Sequence, residues 1–483
     1  MFKHFFLKLS LLILLLLIGA GVYGYFWVKN LTPEKFLQNS FVQDQVVKKL
    51  GDENAELLAF LPQFLGFTKP MTYLMLFQNN TELRPGGGFL GVYAVVRLDK
   101  GRSEVLKVEG TEIIDRNTPE DWKPTPPEIL KEHLKVDRWY FRDANWSPDF
   151  TASAENVLKM YKGEGGLLAD EIDAVVGITP TVLEEFMKET GPITVDGIEF
   201  TADNVTEKLE YEVEYGYDDK GIHFLERKQI IEPFMLELLH SLKVNSLANI
   251  QNYFELVQDL TKEKHIMIYS LDSDLQNELD NKDWTGRIKY VDGDYLMWVD
   301  ANLAALKTDN AIDRTLYYSF KPQEDGQILA TAEMEYKHNG VFDWRTTRYR
   351  TYARIFVPSE SEFVTSSGSM AWDRTDELGI IDQGEELGKK WFGAFIAIEP
   401  GKTGKLSFSY LLPESVEEQI KNGLYTLFVQ KQAGTIKSGL TLDLKFGNNI
   451  VSASPEEIMD EWGDPIYKLK TDLRLDREFT ANF

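Results

Sequence analysis

Two short stretches hold most of the side chains suited to chemistry. In FQNNTELRPGGGFLG, residues 77–91, Asn79, Asn80 and Glu82 lead to Arg84 and three consecutive glycines, Gly86, Gly87 and Gly88. Glycines reach positive φ freely and can bring backbone N–H groups against an anion, and an arginine supplies a two-pronged donor to phosphate or carboxylate. No Gly-Lys-Ser/Thr follows, so this is not a nucleotide-binding P-loop. The plain alternative is a bent connection in which the asparagines and Glu82 satisfy backbone groups and Arg84 pairs with Glu82 or a distant carboxylate. In RDANWSPDF, residues 142–150, Arg142, Asp143, Asn145 and Asp149 crowd into a loop stiffened by an aromatic residue and a proline. Carboxylate and amide oxygens are hard ligands suited to Mg²⁺ or Ca²⁺, and an adjacent arginine suits a phosphate bridged to that metal. The competing reading is turn chemistry, with Asp149 capping the helix that follows. Asp115, at the end of a strand-like run, is a third candidate metal ligand, and Arg227, with Lys228 beside it, opens a long helical stretch.

A reaction assembled from these residues uses Arg84, Arg142 and Asp143 as its catalytic set. Asn79, Asn80, Glu82, Gly86, Gly87, Gly88, Asn145 and Arg227 line the ligand, and Asp143, Asp149 and Asp115 hold Mg²⁺. Other chemistries lack their signatures. The six histidines form no H-E-x-x-H pair, no G-x-S-x-G elbow occurs, and cysteine is absent, which removes thiolate nucleophiles, Cys-ligated zinc and disulfides together.

The elements that must position such groups are readable from periodicity. LSLLILLLLIGAGVYGYFWV, residues 9–28, carries no charge and as a helix spans roughly 30 Å, the thickness of a hydrocarbon core. Lys3 and Lys8 precede it and Tyr23, Tyr25, Phe26 and Trp27 end it, so the positive-inside bias predicts a single-pass cell-membrane anchor with a cytoplasmic N-terminus and an extracytoplasmic body. IGAGVYGYF makes a poor cleavage site, which favours an anchor over a removed signal peptide. LTPEKFLQNSFVQDQVVKKLG then reads as a capped amphipathic stalk helix.

From residue 67 strands and helices alternate. MTYLMLFQ, FLGVYAVVRL and IDAVVGIT are apolar on both faces, as covered central strands are. Thr179 is placed to cap a helix through TPTVLEEFMKETG, PITVDGIEFT reads as a hairpin about Asp196-Gly197, and residues 224–263 read as helix broken near Pro233 and near Asn245. From TLYYSF to GLTLDLKF the chain is a series of short alternating runs that predict an antiparallel β-sandwich. The expected organisation is a stub and transmembrane anchor over 1–30, a stalk over 31–66, a layered α/β sandwich domain over 67–300, a β-sandwich over 301–455 and a peripheral charged tail over 456–483. The balance of 52 Lys+Arg against 77 Asp+Glu, net −25, repels phosphate backbones, so no nucleic-acid partner is expected.

FQNNTELRPGGGFLG, RDANWSPDFTASA, the Thr190-Gly191-Pro192-Ile193 corner, DANLAALKTDNAIDR and LFVQKQAGT together resemble the bacterial membrane-anchored family of domain of unknown function 4012. That resemblance implies the architecture and an envelope location, with no settled activity. A fainter likeness, in the order of anchor, polar strand end, arginine-aspartate pair and an arginine opening a helix, is similar to LytR-CpsA-Psr envelope phosphotransferases. Their characteristic arginine-rich run is represented here only by Glu226-Arg227-Lys228. The likeness implies binding or transfer of a polyprenyl-pyrophosphate-linked glycan to a cell-wall polymer, with magnesium. A non-catalytic surface assembly or glycan-binding module is the alternative.

Overall fold

The computed structural model describes residues 62–228, 230–457 and 463–483. The apolar stretch 9–28 and the amphipathic stretch 31–51 lie outside them. Among the described residues no helix is long and apolar enough to cross a membrane. The chain is a mixed α/β protein with several sheets, two of them sandwich-like.

The first lobe is built on β1 (Met71–Asn79), β2 (Phe89–Asp99), β3 (Arg102–Gly110), β4 (Ala174–Ile178) and, after a short hairpin of β5 (Ile193–Val195) and β6 (Ile198–Phe200), β7 (Ile266–Ser270). The five-stranded sheet runs β3-β2-β1-β4-β7, with β1 and β4 parallel and the other neighbours antiparallel. Its strands are apolar on both faces because both faces are covered. Met71, Tyr73 and Met75 point to one core and Leu74 and Leu76 to the other. The second core is closed by the helix Phe150–Gly163. The first is closed by the helix Thr181–Thr190 and by the long helix Ile231–Lys262.

Several local expectations change. Thr179 does not cap the helix Thr181–Thr190; its hydroxyl instead meets Nδ1 of His265 at 2.9 Å. The helix Ile231–Lys262 is continuous, because Pro233 sits in its first turn, where a missing N–H costs no intrahelical bond. The Asp196-Gly197 turn does form, both residues taking positive φ as a two-residue hairpin requires.

The second lobe stacks a six-stranded and a seven-stranded sheet on one apolar core. Its strands are not all antiparallel: Leu424–Gln430 runs parallel to Asp294–Asn302, and Gly439–Lys445 parallel to Ile312–Pro322. The boundary therefore falls before Asp294–Asn302, a central strand of the larger sheet. Nor is the end of the chain peripheral. Ile466–Asp472 pairs with Gly439–Lys445, and Arg477–Asn482 pairs with Leu424–Gln430. Alternation in IYKLKTD and REFTAN buries Tyr467, Phe479 and Ala481, while the charged residues between them made the segment read as solvated.

Candidate functional site

A cavity of about 390 Å³ lies at the edge of the five-stranded sheet where β1 and β4 end and β2 begins. Its walls are apolar. Phe77, Phe89, Val92 and Val108 come from the sheet, Val182 and Leu183 from the helix Thr181–Thr190, Leu209 and Val213 from the segment Val205–Gly216, and Ile231 and Met235 from the long helix. In an open α/β sheet ligands collect outside the carboxyl ends of parallel strands, and β1 and β4 end here.

One residue shapes the floor. Phe77 pairs with Val92 and Gln78 with Leu90, which leaves Gly91 as the extra residue of a β-bulge. An added Cβ at Gly91 would meet no heavy atom of the described residues within 4 Å, so among them the space above the bulge is open. A glycine within a strand commonly marks a bulge or a close approach by a ligand. Nothing in FLGVYAVV beyond the glycine itself signals this.

Charges interrupt the apolar wall at several places. Glu112 accepts from Lys228 Nζ at 2.8 Å and lies 3.0 Å from Arg227 Nη2, while Lys228 also donates to the Gly91 carbonyl at 2.8 Å. Burial raises the pKa of Glu112, but Lys228 and Arg227 outweigh it and hold the carboxyl below its usual range. Burial lowers that of Lys228 despite Glu112. Elsewhere Lys307 reaches Glu214 at 3.4 Å, and Glu82 has its carboxyl raised by burial against the opposing charge of Arg84.

Of the residues expected to form a site, the cavity wall brings together Asn79, Glu82, Arg142 and Arg227. Arg84 is elsewhere. It is 2% exposed, donates from Nε and Nη2 to Asp143 at 3.2 Å, lies 3.3 Å from Glu82, and donates from Nη1 to the carbonyl of Asn302 at 2.8 Å. Asp143 is thereby consumed. Asn80 donates to Thr181 Oγ1 at 3.1 Å and to the carbonyl of Gly434 at 2.9 Å, while Asn145 donates to that of Gly88 at 2.7 Å.

The glycine run serves close packing. The Gly86 and Gly87 N–H groups are donated to the carbonyls of Asn145 and Arg84, and a Cβ at Gly88 would lie 2.5 Å from the backbone of Asn79. The elbow is the seam between the lobes. Asn302 donates to the Leu83 carbonyl, Leu83 to Asp309, Gln432 to the Arg84 carbonyl, and Lys431 to that of Glu263. DANLAALKTDN, LFVQKQAGT and NNTELRPGGG thus meet each other across that seam.

The expected magnesium ligands do not assemble. Asp149 caps the helix Phe150–Gly163 through Ala152 at 3.0 Å and accepts from the Ile288 N–H at 2.9 Å, so both its oxygens are used. Asp143 faces Arg84. Asp115 lies beside Glu164 and 3.4 Å from Arg142, and burial followed by the Glu164 charge pushes its pKa up to about 9, in spite of Arg142. Among the described residues no group of three or more acidic or histidine side chains is arranged to hold a metal ion. The residues present do not fit Mg²⁺, because helix capping, an ion pair and a protonated carboxyl take up the oxygens it needs. Lys307, Glu112, Glu164 and Gly91 were not singled out for a site from the sequence, whereas Lys228 was weighed beside Arg227. Lys228 reads there as a solvated helix face, and only the tertiary fold turns it inward.

No curated protein matches this chain. Among solved structures, a protein described as nutrient-binding from Legionella pneumophila is 8% identical, with a TM-score of 0.25, over 39% of this chain and 71% of that one. Leukotriene A4 hydrolase from Saccharomyces cerevisiae is 13% identical, with a TM-score of 0.20, over 35% of this chain and 28% of that one. Overlaps this loose carry no argument about fold or activity. The likeness to LytR-CpsA-Psr phosphotransferases gains no support from these comparisons. Residues 68–214, which contain the elbow, the RDANWSPDF loop and most of the cavity wall, match the family of proteins of unknown function DUF4012, and this part of the chain carries that family's domain.

Proposed function

We propose that this chain is an extracytoplasmic cell-envelope protein, tethered by residues 9–28, whose layered α/β lobe binds a lipid-linked glycan by its isoprenoid chain. The observation that carries the reading is the cavity. Its volume of about 390 Å³ falls within the ~300–1,000 Å³ of small-molecule sites. Its wall is made of half-buried apolar side chains that pack on the lobe's core and leave part of their surface to the empty space. Each isoprenoid methylene moved there from water contributes about 0.8 kcal/mol. The bulge at Gly91 keeps that space open.

The reading is of a binding module and not of a phosphotransferase. Transfer through Arg84, Arg142 and Asp143 would need all three at one cleft, and Arg84 and Asp143 are spent on each other at the lobe seam. The sandwich-like lobe, locked to the first through the same seam, is the surface left to present the glycan or to meet a cell-wall polymer.

The test is retention of radiolabelled farnesol by the full-length chain in lipid nanodiscs, with empty nanodiscs as the control for partitioning. The wild type should retain it. Gly91→Leu, whose side chain grows into unoccupied space, should fold normally and lose most of the retention. Wild-type retention no greater than that of empty nanodiscs would refute the reading.

A further inference from the structure

The cavity wall contains an anion held between two cations. Glu112 lies 3.0 Å from Arg227 Nη2 and accepts from Lys228 Nζ at 2.8 Å. One carboxylate against a guanidinium and an ammonium leaves a positive charge over. The nearby Glu214 is shared with Lys307, which adds a cation for the anion it adds. The donors are also in excess. Among the described residues Arg227 Nε and Nη1 are buried with no hydrogen-bond partner, and its guanidinium is laid on the Phe224 ring, 4.0 Å from the centroid. A buried donor left unsatisfied is costly, so two of them on one side chain mark a place where an acceptor fits.

We infer that Glu112, Arg227 and Lys228 form the phosphate end of the cavity, where Glu112 stands as an internal carboxylate in the place that phosphate oxygens take when an isoprenoid phosphate is bound. The inference rests on the lipid-binding reading and deepens it. A phosphate ester offers more terminal oxygens and up to about two negative charges near neutral pH, which matches two cations as a single carboxylate does not. Arginine's planar fork meets two phosphate oxygens at once, and the lysine acts as a point charge. Stacking on Phe224 holds the plane of the fork, which lowers the ordering cost of binding. The Glu112 latch keeps the empty site from presenting two bare cations next to an apolar wall, and its displacement couples the arrival of the head group to that of the chain. Lys228 links the two directly, since it also donates to the carbonyl of Gly91 at the bulge.

The experiment uses the full-length chain in nanodiscs and three probes, farnesyl phosphate, farnesol and inorganic phosphate. Farnesyl phosphate should bind at least ~tenfold more tightly than farnesol, and far more tightly than inorganic phosphate, the advantage over farnesol falling with added salt. Glu112→Gln should tighten farnesyl phosphate by about tenfold and leave farnesol unchanged. Arg227→Gln or Lys228→Gln should erase the difference between the two isoprenoids. Equal affinity of the wild type for farnesol and farnesyl phosphate would overturn the phosphate site while leaving the lipid cavity standing. Inorganic phosphate binding as tightly as farnesyl phosphate would overturn the pairing of head group with chain. Failure of both isoprenoids to bind would remove the lipid cavity itself. The wild-type comparison needs no variant, so a misfolded substitution does not leave the question open.

Discussion

Arg84→Ala should destabilise the chain while leaving ligand retention by the cavity largely intact. The side chain is buried at the lobe seam, bonded twice to Asp143 and once to the carbonyl of Asn302 from the second lobe. Removing it strands Asp143 and Glu82 with one cation fewer and leaves a backbone carbonyl without its donor. Breaking one side of a buried ion pair costs about 3–5 kcal/mol, mostly the penalty of the charge left behind. Unfolding entropy of about 2.1 cal/mol/K per residue amounts to roughly 1 kcal/mol/K over 483 residues, so the thermal midpoint should fall by ~3–5 °C. Differential scanning calorimetry of the full-length chain measures this, with farnesol retention followed on the same samples. Arg142→Ala, whose side chain is about one-third exposed in the cavity wall, should shift the midpoint far less. Replacing Arg84 and Asp143 together by Met and Leu should recover part of the loss, since an apolar pair strands no charge. A stable Arg84→Ala variant that has lost ligand binding would refute the reasoning and return Arg84 to a binding site.

Burial and the Glu164 charge raise Asp115 to about 9 in the folded chain. Between the ordinary carboxyl value and that pH the folded state holds a proton that the unfolded state releases, so this contribution to stability is complete in acid and is lost as pH rises toward 9. Asp115→Asn should flatten the fall in denaturation midpoint between about pH 5 and about pH 8, and an unchanged slope would remove Asp115 as its source. A fragment of residues 305–450 should stay unfolded by circular dichroism, because it lacks the central strand Asp294–Asn302 and the paired strands Ile466–Asp472 and Arg477–Asn482; residues 288–483 should fold. A cooperative melt of the shorter fragment would contradict that.

Much of the fold was legible because periodicity records which faces are covered. Runs with apolar residues at both odd and even positions, such as MTYLMLFQ, must lie in a sheet covered on both sides, and β1 buries residues toward two cores. Alternating runs such as ILATAEMEY must be half-buried strands, as Ile328–His338 is. The two parallel pairs of the sandwich-like lobe were not legible, because a strand carries no mark of the direction of its neighbour. Motif density pointed to NNTELRPGGG and RDANWSPDF. Density of glycine, asparagine and arginine signals backbone crowding as readily as ligand binding, and here crowding at the seam accounts for most of it.

The sequence by itself determined many of the lobes' strands and their three longest described helices, the acidic field, and the apolar stretch near the start, since each depends on residues adjacent in the chain. Only the tertiary structure decided which charges face a cavity. Arg84 sits among turn residues in the sequence and Lys228 at the start of a helical stretch, yet one is sealed beneath Asn302 and Asp143 and the other turned inward toward Gly91 and Glu112. That choice is made by residues tens to hundreds of positions away, because the free energy of a buried charge depends on the partners folding brings to it and on nothing its neighbours in the chain can specify.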